Sequence, residues 1–307
     1  MRISVVVPSY NSSRTIRACL RSLMAQERPA DEILVVDSSD DETPGIVGGE
    51  FPGVRLIYLA EKTLPGPARN RGVAESTGDV VAMTDADCVA HAGWLAALER
   101  GYRDEPRAAA VGGVVGIANP ESFPGAIGYI LEFSEFILGT RSGPRDTMPT
   151  CNLSVRREAF QRHGGFPQDF FPGEDTAFTH RLTRAGELLL LVGDAVVLHH
   201  NKDAWQDVYR HQHSLGRAFV ASRRCEPTLP GAFLLRHPAL AALLPAVRWP
   251  RIACRLGARD RRLLWRFLAA TPYVLRGLMA WRRGFAEALA EAAAQAGPRP
   301  GGPGPPE

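Results

Sequence analysis

Lysine is nearly absent from this chain of 307 residues, since it occurs only at Lys62 and Lys202. Arginine therefore supplies almost all of the positive charge, and the arginines crowd into the C-terminal third. The formal net charge is only +3, and we expect no nucleic-acid partner. An arginine-rich face suits phosphate groups or anionic lipid headgroups, although a merely solvated surface has the same composition.

Cysteine is scarce: the chain has five cysteines, which are scattered and form no C-x-x-C pair. This argues against a disulfide-stapled secreted protein and against a zinc site, and it favours a reducing compartment. Residues 1–7 have neither a basic leader nor a small-residue cleavage site, so we expect a first strand rather than a signal peptide. That strand is followed by Pro8-Ser9-Tyr10-Asn11 and not by G-x-G-x-x-G, which excludes an NAD-binding oxidoreductase.

Short apolar runs alternate with helical patterns over the first 225 residues. Strands are predicted over 3–7, 32–36, 54–59, 79–84, 108–117, 151–155, 188–192 and 195–198. Helices are predicted over 13–25, 68–75, 94–101, 157–163, 175–185 and 205–224, with 123–138 a helix or a loop. Such alternation is typical of a mostly parallel sheet with helices on both faces. We therefore predict a Rossmann-like α/β domain over residues 1–225.

From residue 226 the composition changes to leucine, alanine, arginine and proline. Two apolar stretches, 229–247 and 263–281, approach the roughly 20 residues that a membrane span requires. Arg236 interrupts the first stretch and Arg266 the second, and an arginine at the centre of a span costs about 2.5–3.5 kcal/mol. We therefore favour helices lying in a membrane interface over 226–296. The alternative is packing on the domain or on a second subunit. Residues 297–307, rich in proline and glycine, are expected to be a disordered tail.

Carboxylates follow two of the predicted strands at the point where each strand ends. Asp37 follows one strand and Asp85-Ala86-Asp87 follows another, so both are expected at the edge where parallel sheets bind ligands. Alternate acids let one hold Mg²⁺ or Mn²⁺ while the other accepts a ribose hydroxyl. The cation would offset the charge that develops on a diphosphate leaving group. The carboxylate of Asp37 would accept a hydrogen bond from an N–H of a pyrimidine. The alternative is that Asp37 only forms a turn.

Glu174-Asp175 opens the helix predicted for 175–185. An inverting transfer needs one base that takes the proton of the attacking hydroxyl, and an ionised acid at a helix start suits that role. Helix capping is the alternative. His199 ends a predicted strand, where an imidazole would complete a metal shell or remain structural. The remaining candidates are contacts to the nucleotide: Pro8, Tyr10 and Arg69.

Taken in order, several motifs resemble those of family 2 glycosyltransferases of GT-A fold. They are Val5-Val6-Val7-Pro8-Ser9-Tyr10-Asn11, Glu32-Ile33-Leu34-Val35-Val36-Asp37, Pro67-Ala68-Arg69-Asn70-Arg71-Gly72, Asp85-Ala86-Asp87, Asn152-Leu153-Ser154-Val155-Arg156, Gly164-Gly165-Phe166 and Glu174-Asp175. The resemblance covers roughly residues 1–225. It implies an inverting enzyme that uses a nucleotide-diphosphate sugar and Mg²⁺ or Mn²⁺.

The resemblance also implies a role for each matching residue. Asp37 and Arg69 would contact the base, Asp85 the ribose and Asp87 the metal. Asp175 would be the general base, with Glu174 beside the acceptor. Ser38 and Ser39 replace the usual acid and glycine after Asp37, which changes base recognition. The absence of Q-x-x-R-W argues against a processive synthase.

Two further functions compete with this hypothesis. Asp85 and Asp87 also satisfy the D-x-D pattern of haloacid-dehalogenase phosphatases, although that motif normally follows the first strand. A non-catalytic membrane scaffold is the other alternative. We expect a glycan or lipid-linked acceptor, and a cytoplasmic protein that is peripheral on the inner face of the cell membrane, because of the arginine-rich C-terminal region.

Overall fold

The computed structural model describes residues 1–295. The tail expected over 297–307 lies outside the described residues, as does the last residue of the region 226–296. The strands are β1 (Ile3–Ser9), β2 (Glu32–Asp37), β3 (Arg55–Tyr58), β4 (Val80–Met83), β5 (Cys88–Ala90), β6 (Ala108–Ile117), β7 (Gly143–Pro144), β8 (Leu153–Arg156) and β9 (Leu188–His199).

The helices alternate with these strands and then continue alone to the end of the described chain. They are α1 (Ile16–Met24), α2 (Thr43–Glu50), α3 (Pro65–Glu75), α4 (Trp94–Asp104), α5 (Phe123–Phe133), α6 (Arg157–Arg162), α7 (Glu174–Arg184), α8 (Trp205–Cys225), α9 (Leu244–Arg259), α10 (Arg261–Ala269) and α11 (Thr271–Gln295). Short 3₁₀ segments cover Thr150–Asn152, Ala232–Leu235 and Pro238–Leu243.

One nine-stranded sheet organises the domain, in the order β3-β2-β1-β4-β8-β6-β9-β5 with β7 beside β9. The strands β3, β2, β1, β4, β6 and β9 run in one direction, whereas β5, β7 and β8 run against it. The prediction of a mostly parallel α/β sheet is therefore confirmed. Because β1 and β4 are neighbours, the turns after Ser9 and Met83 meet at one edge of the sheet.

Alternate residues of the central strands are buried in different cores, one on each face of the sheet. Val5 and Val7 of β1 belong to one core, and Val6 belongs to the other. The same alternation holds in β4, where Ala82 and Met83 lie on opposite faces. Successive side chains of a strand point to opposite faces, so these continuous apolar runs are explained by helices covering both sides.

Several predicted elements differ from the structure. Helix α2 was not predicted, because no helical pattern was assigned between residues 36 and 54; in the structure Pro44 lies in its first turn. The strands predicted over 188–192 and 195–198 form one strand, β9, with an irregular register at Gly113 of β6. The stretch 229–247 forms short 3₁₀ segments and the start of α9. The stretch 263–281 breaks between α10 and α11, next to Pro272.

The C-terminal helices pack on the domain, which is the alternative that the sequence left open. Helix α11 crosses α8 so closely that a Cβ on Gly216 would lie 1.9 Å from the Trp281 carbonyl oxygen. A Cβ on Gly284 would lie 2.0 Å from the carbonyl oxygen of His213. Residues of α9, α10 and α11 also join the core that contains β1. Within residues 1–295, no helix combines the length and apolar character needed to cross a bilayer.

Candidate active site

A cleft of about 1030 Å³ opens at the sheet edge where β1 and β4 end. It is also bordered by α3, by the start of α7, by the end of β9 and by α8. Of the residues predicted from the sequence, those that line it are Pro8, Tyr10, Arg69, Asp85, Asp87, Glu174, Asp175 and His199. Segments that are far apart in the chain therefore bring both acidic motifs into one cavity.

Arg69 lies between the two acidic motifs and is only 2 % exposed. Its Nη2 donates to Oδ1 of Asp85 at 2.5 Å, and its Nη1 donates to Oε1 of Glu174 at 2.7 Å. Burial opposes its charge, but the carboxylates of Asp85 and Glu174 raise the pKa of Arg69 overall. Both terminal nitrogens of the guanidinium thus bind carboxylates, whereas Nε has no partner in the described structure. The predicted contact between Arg69 and the base stays a prediction.

Asp87 and His199 form the most suitable metal-binding group in the described residues. Asp87 Oδ1 lies 3.6 Å from His199 Nε2, close enough for one ion, because Mg²⁺–oxygen bonds are about 2.0–2.1 Å. Cys88 lies beside both groups. Burial raises the pKa of Cys88 well above its ordinary value. The hydrogen bond between His199 Nδ1 and Asn201 Oδ1, at 3.1 Å, leaves Nε2 facing Asp87. A carboxylate oxygen and an imidazole nitrogen fit a divalent cation.

Glu174 and Asp175 begin α7 and differ in their surroundings. Glu174 is buried, and its Oε2 has no hydrogen-bond partner in the described structure. Asp175 is partly exposed in the cleft, where its Oδ1 accepts from the Thr176 amide at 2.6 Å. Burial and the neighbouring Asp175 charge raise the pKa of Glu174 to about 7. Burial also raises the pKa of Asp175. Both carboxyls thus hold a proton more tightly than in water.

Asp37 is not among the residues that line the cleft, and its predicted contact with the base stays a prediction. It is 0 % exposed, and its two oxygens accept from the Ser39 hydroxyl at 2.7 Å and the Ser39 amide at 3.1 Å. Ser39 Oγ in turn accepts from the Asn11 amide at 2.7 Å. Asp37 therefore forms an Asx-turn directly after β2, because its carboxylate accepts from the amide two residues later. Through Ser39 it also holds the turn after β1.

Tyr10 and Lys62 form an aromatic and basic part of the cleft lining. Lys62 Nζ lies 4.3 Å from the centre of the Tyr10 ring, a distance typical of a cation–π contact. The Thr63 amide donates to the Ser38 hydroxyl at 3.1 Å, which ties this wall to the end of β2. Lys62 was not predicted as a site residue, because no motif surrounds it.

The opposite wall contains polar residues that the sequence prediction missed. Glu132 of α5 pairs with His211 of α8, with Oε2 and Nε2 3.0 Å apart. Gln212 is 1 % exposed, and neither of its amide atoms has a partner in the described part of the chain. A signal existed, because Val208, Gln212 and Gly216 recur every four residues along the buried face of α8. A polar residue on such a face indicates a function.

Comparison with known proteins agrees with this geometry. The family model described as glycosyl transferase family 2 matches residues 4–164, just over half of the chain. Glycosyltransferase AglE of Haloferax volcanii is 31% identical over 205 residues, which are 64% of this chain and 66% of that protein. A glucosyl-dolichyl phosphate glucuronosyltransferase of the same organism is 30% identical over 175 residues, 54% of this chain and 56% of the relative. The chain thus spans between half and two thirds of the length of these relatives.

Among solved structures, the chain is similar to the mannosyltransferase PcManGT from Pyrobaculum calidifontis, a complex with GDP-Man and Mn²⁺. The TM-score is 0.58 at 22% identity, with 96% of this chain and 86% of that chain covered. At this level of identity the similarity shows the fold alone.

Proposed function

Because this chain belongs to glycosyl transferase family 2, we propose that it is an inverting enzyme that moves a sugar from a nucleoside diphosphate to a hydroxyl group. The observation that carries this proposal is the single cleft lined by Asp85, Asp87, Glu174 and Asp175. Such a cleft places the binding site for the diphosphate and the general base next to the same substrate.

The donor would lie along the edge of the sheet from Tyr10 to His199. The nucleobase of the donor would insert between Tyr10 and Lys62 and replace their cation–π contact. Asp85 would accept a ribose hydroxyl while Arg69 holds its carboxylate. Asp87 and His199 would hold Mg²⁺ or Mn²⁺, which supplies the positive charge that stabilises the diphosphate as it leaves. The Mn²⁺ bound in PcManGT supports a divalent cation in this role.

Asp175 would act as the general base of the transfer. The acceptor oxygen would form a bond to the anomeric carbon while the bond from that carbon to the diphosphate oxygen breaks. The bonding electrons would leave with the nucleoside diphosphate, and the hydroxyl proton would pass to Asp175. Asp175 suits this role better than Glu174, because it is partly exposed whereas Glu174 is held by Arg69. Attack from the side opposite the leaving group inverts the anomeric centre.

A lipid-linked or cell-envelope glycan would be the acceptor. The names of two relatives support a lipid carrier: the glucosyl-dolichyl phosphate glucuronosyltransferase of Haloferax volcanii and an N-acetylglucosaminyl-diphospho-decaprenol L-rhamnosyltransferase of Mycobacterium tuberculosis. The helices α9 to α11 expose several large apolar side chains among their arginines, including Val247, Trp265, Leu275 and Met279. Such a surface suits an interface with anionic lipid. The protein would therefore work as a peripheral protein on the inner face of the cell membrane.

A thermal-shift panel of nucleoside diphosphates, with and without Mn²⁺, tests the donor side directly. A ligand that binds only the folded state raises the melting temperature. We expect one base to give the largest shift, and we expect that shift to require Mn²⁺. No shift with any nucleotide would refute the proposed donor site.

A second assay separates transfer from the two alternatives. Slow, metal-dependent release of nucleoside diphosphate from a sugar nucleotide without acceptor excludes a non-catalytic scaffold. Release of phosphate from a phosphomonoester, without sugar transfer, would instead support phosphatase chemistry at Asp85. We expect the first reaction and not the second.

A further inference from the structure

A second, smaller cavity adjoins the cleft on the side of the C-terminal helices. Its volume is about 180 Å³. The two cavities share four lining residues, which are Glu132, Gly173, Thr176 and Leu215. Gly173 directly precedes Glu174 and Asp175, so the small cavity lies next to the start of α7. A ligand that fills it would extend directly to the proposed base.

Two arginines line this cavity, Arg223 from α8 and Arg248 from α9. Arg223 donates to the Pro230 carbonyl and the Ser222 hydroxyl, and Arg248 donates to the Leu131 carbonyl. Within residues 1–295 neither guanidinium forms an ion pair, whereas the buried Arg69 pairs with two carboxylates. Burial lowers the pKa of Arg223 to about 10, and burial also lowers the pKa of Arg248. Both cations are thus partly desolvated, and the one carboxylate whose charge acts on Arg248, that of Glu135, is already paired with Arg255.

The rest of the lining is mainly apolar and aromatic. Phe219 lies under Arg223, with 3.7 Å between the guanidinium carbon and the ring centre. Trp281 of α11 lies 6.0 Å from the guanidinium carbon of Arg248. Leu131, Leu215 and Ala218 complete the apolar surface. The one carboxylate on the lining, Glu132, is paired with His211, and its charge raises the pKa of His211.

We propose that this cavity binds the phosphate of a lipid-linked acceptor, with Arg223 and Arg248 holding the phosphate and the apolar lining receiving the first part of the lipid chain. Arginine is well suited to phosphate because its planar N–H groups bind two oxygens at once. The C-terminal helices then have a substrate-binding role, since α9 and α11 supply Arg248 and Trp281. This inference rests on the proposed function, for it names the acceptor of the same reaction.

Binding of decyl phosphate, below its micelle concentration, to the full chain tests the proposal by calorimetry. We expect the wild-type protein to bind decyl phosphate at least tenfold more tightly than inorganic phosphate, and not to bind decyl maltoside. R223Q and R248Q should each weaken the binding of decyl phosphate at least tenfold. The matched controls are R224Q and R251Q, because both of those arginines are exposed neighbours and their replacement should leave it unchanged.

Three outcomes would overturn the inference. Equal affinity for inorganic phosphate and decyl phosphate would show that the cavity does not bind the lipid chain. An equal loss in R224Q and R251Q would indicate adsorption to the basic surface. Unchanged binding in R223Q and R248Q, with the folded state verified by their melting temperatures, would show that the two arginines do not bind the phosphate. Mn²⁺-dependent binding of nucleoside diphosphate, measured on the same samples, tests the proposed function separately and should be unchanged in all four variants.

Discussion

Arg69 and Glu174, which lie 105 residues apart in the chain, form an ion pair of 2.7 Å in the buried floor of the cleft. Both side chains are almost fully excluded from solvent, at 2% and 3% exposure. The same guanidinium holds Asp85 on its other side. One arginine thus fixes the distance between the diphosphate side of the cleft and the helix that carries the proposed base.

Replacing Arg69 by methionine should cost more stability than any other single change in the cleft. Removal of one partner of a buried ion pair typically costs about 3–5 kcal/mol, because the remaining charge stays buried. Urea denaturation of R69M measures this loss. The control is R71M, since Arg71 is exposed and pairs only with Glu75 in the next turn, a pair worth less than about 1 kcal/mol. Equal losses in the two variants would contradict the role assigned to Arg69.

Stability and activity should respond to pH in opposite directions. Glu174 has a folded pKa of about 7, above the value of 4.5 for the free side chain, so the folded state binds more protons between these values. The resulting stabilisation is complete below pH 4.5 and is lost as the pH rises through about 7. Turnover should instead rise with pH over the acid range, because burial also raises the pKa of Asp175 and only its ionised form accepts a proton.

Urea denaturation of wild type and E174Q at about pH 5 and about pH 8 checks the stability part of this prediction. The free energy of unfolding of the wild type should fall between the two, and E174Q should show a smaller fall. A wild-type protein that becomes more stable over this range, or an identical fall in E174Q, would show that Glu174 is not the titrating group.

Loss of His199 should weaken the requirement for the cation without unfolding the protein. Removal of one of the two proposed ligands, in H199A, should raise the Mn²⁺ concentration needed for half-maximal nucleotide binding by about 10–100-fold. H237A is the control, because His237 is exposed, does not line the cleft and lies far along the chain from both His199 and Asp87. An unchanged Mn²⁺ requirement in H199A would show that His199 is not a ligand and would contradict the proposed metal site.

The contact between α8 and α11 should tolerate no side chain at Gly284. A Cβ there would meet the His213 carbonyl oxygen, and overpacking of this kind costs about 1–3 kcal/mol. G257A is a matched control, because Gly257 lies in α9 with its nearest atom at 3.7 Å. Alanine in an open helix position is favoured over glycine by about 0.5–1 kcal/mol. G284A should therefore lower the melting temperature and G257A should raise it.

The central sheet could be predicted from the sequence because its signal is local. Val5, Val6 and Val7 form a continuous apolar run that only a strand buried on both faces explains. Asp87 follows such a strand directly, so its place at the sheet edge followed from the strand itself. The predicted α/β fold was confirmed on this basis.

Other features depend on contacts between distant residues and could not be predicted. The absence of Asp37 from the cleft lining follows from Ser39, whose hydroxyl and amide occupy both carboxylate oxygens. The packing of the last helices depends on Gly216 and Gly284 meeting the opposite backbones, and nothing in either local sequence indicates its partner. The four-residue repeat in α8 placed Gln212 on a buried face, but only the packing of α8 shows that this face borders the cleft.

Asp175→Asn tests the central claim most directly, through turnover and donor binding measured on the same protein. A general base contributes about 10²–10⁴-fold to the rate, whereas a neighbouring amide leaves the donor site intact. We predict a loss of sugar transfer of that size with Mn²⁺-dependent donor binding within about twofold of wild type. Transfer at the wild-type rate in this variant would contradict the account.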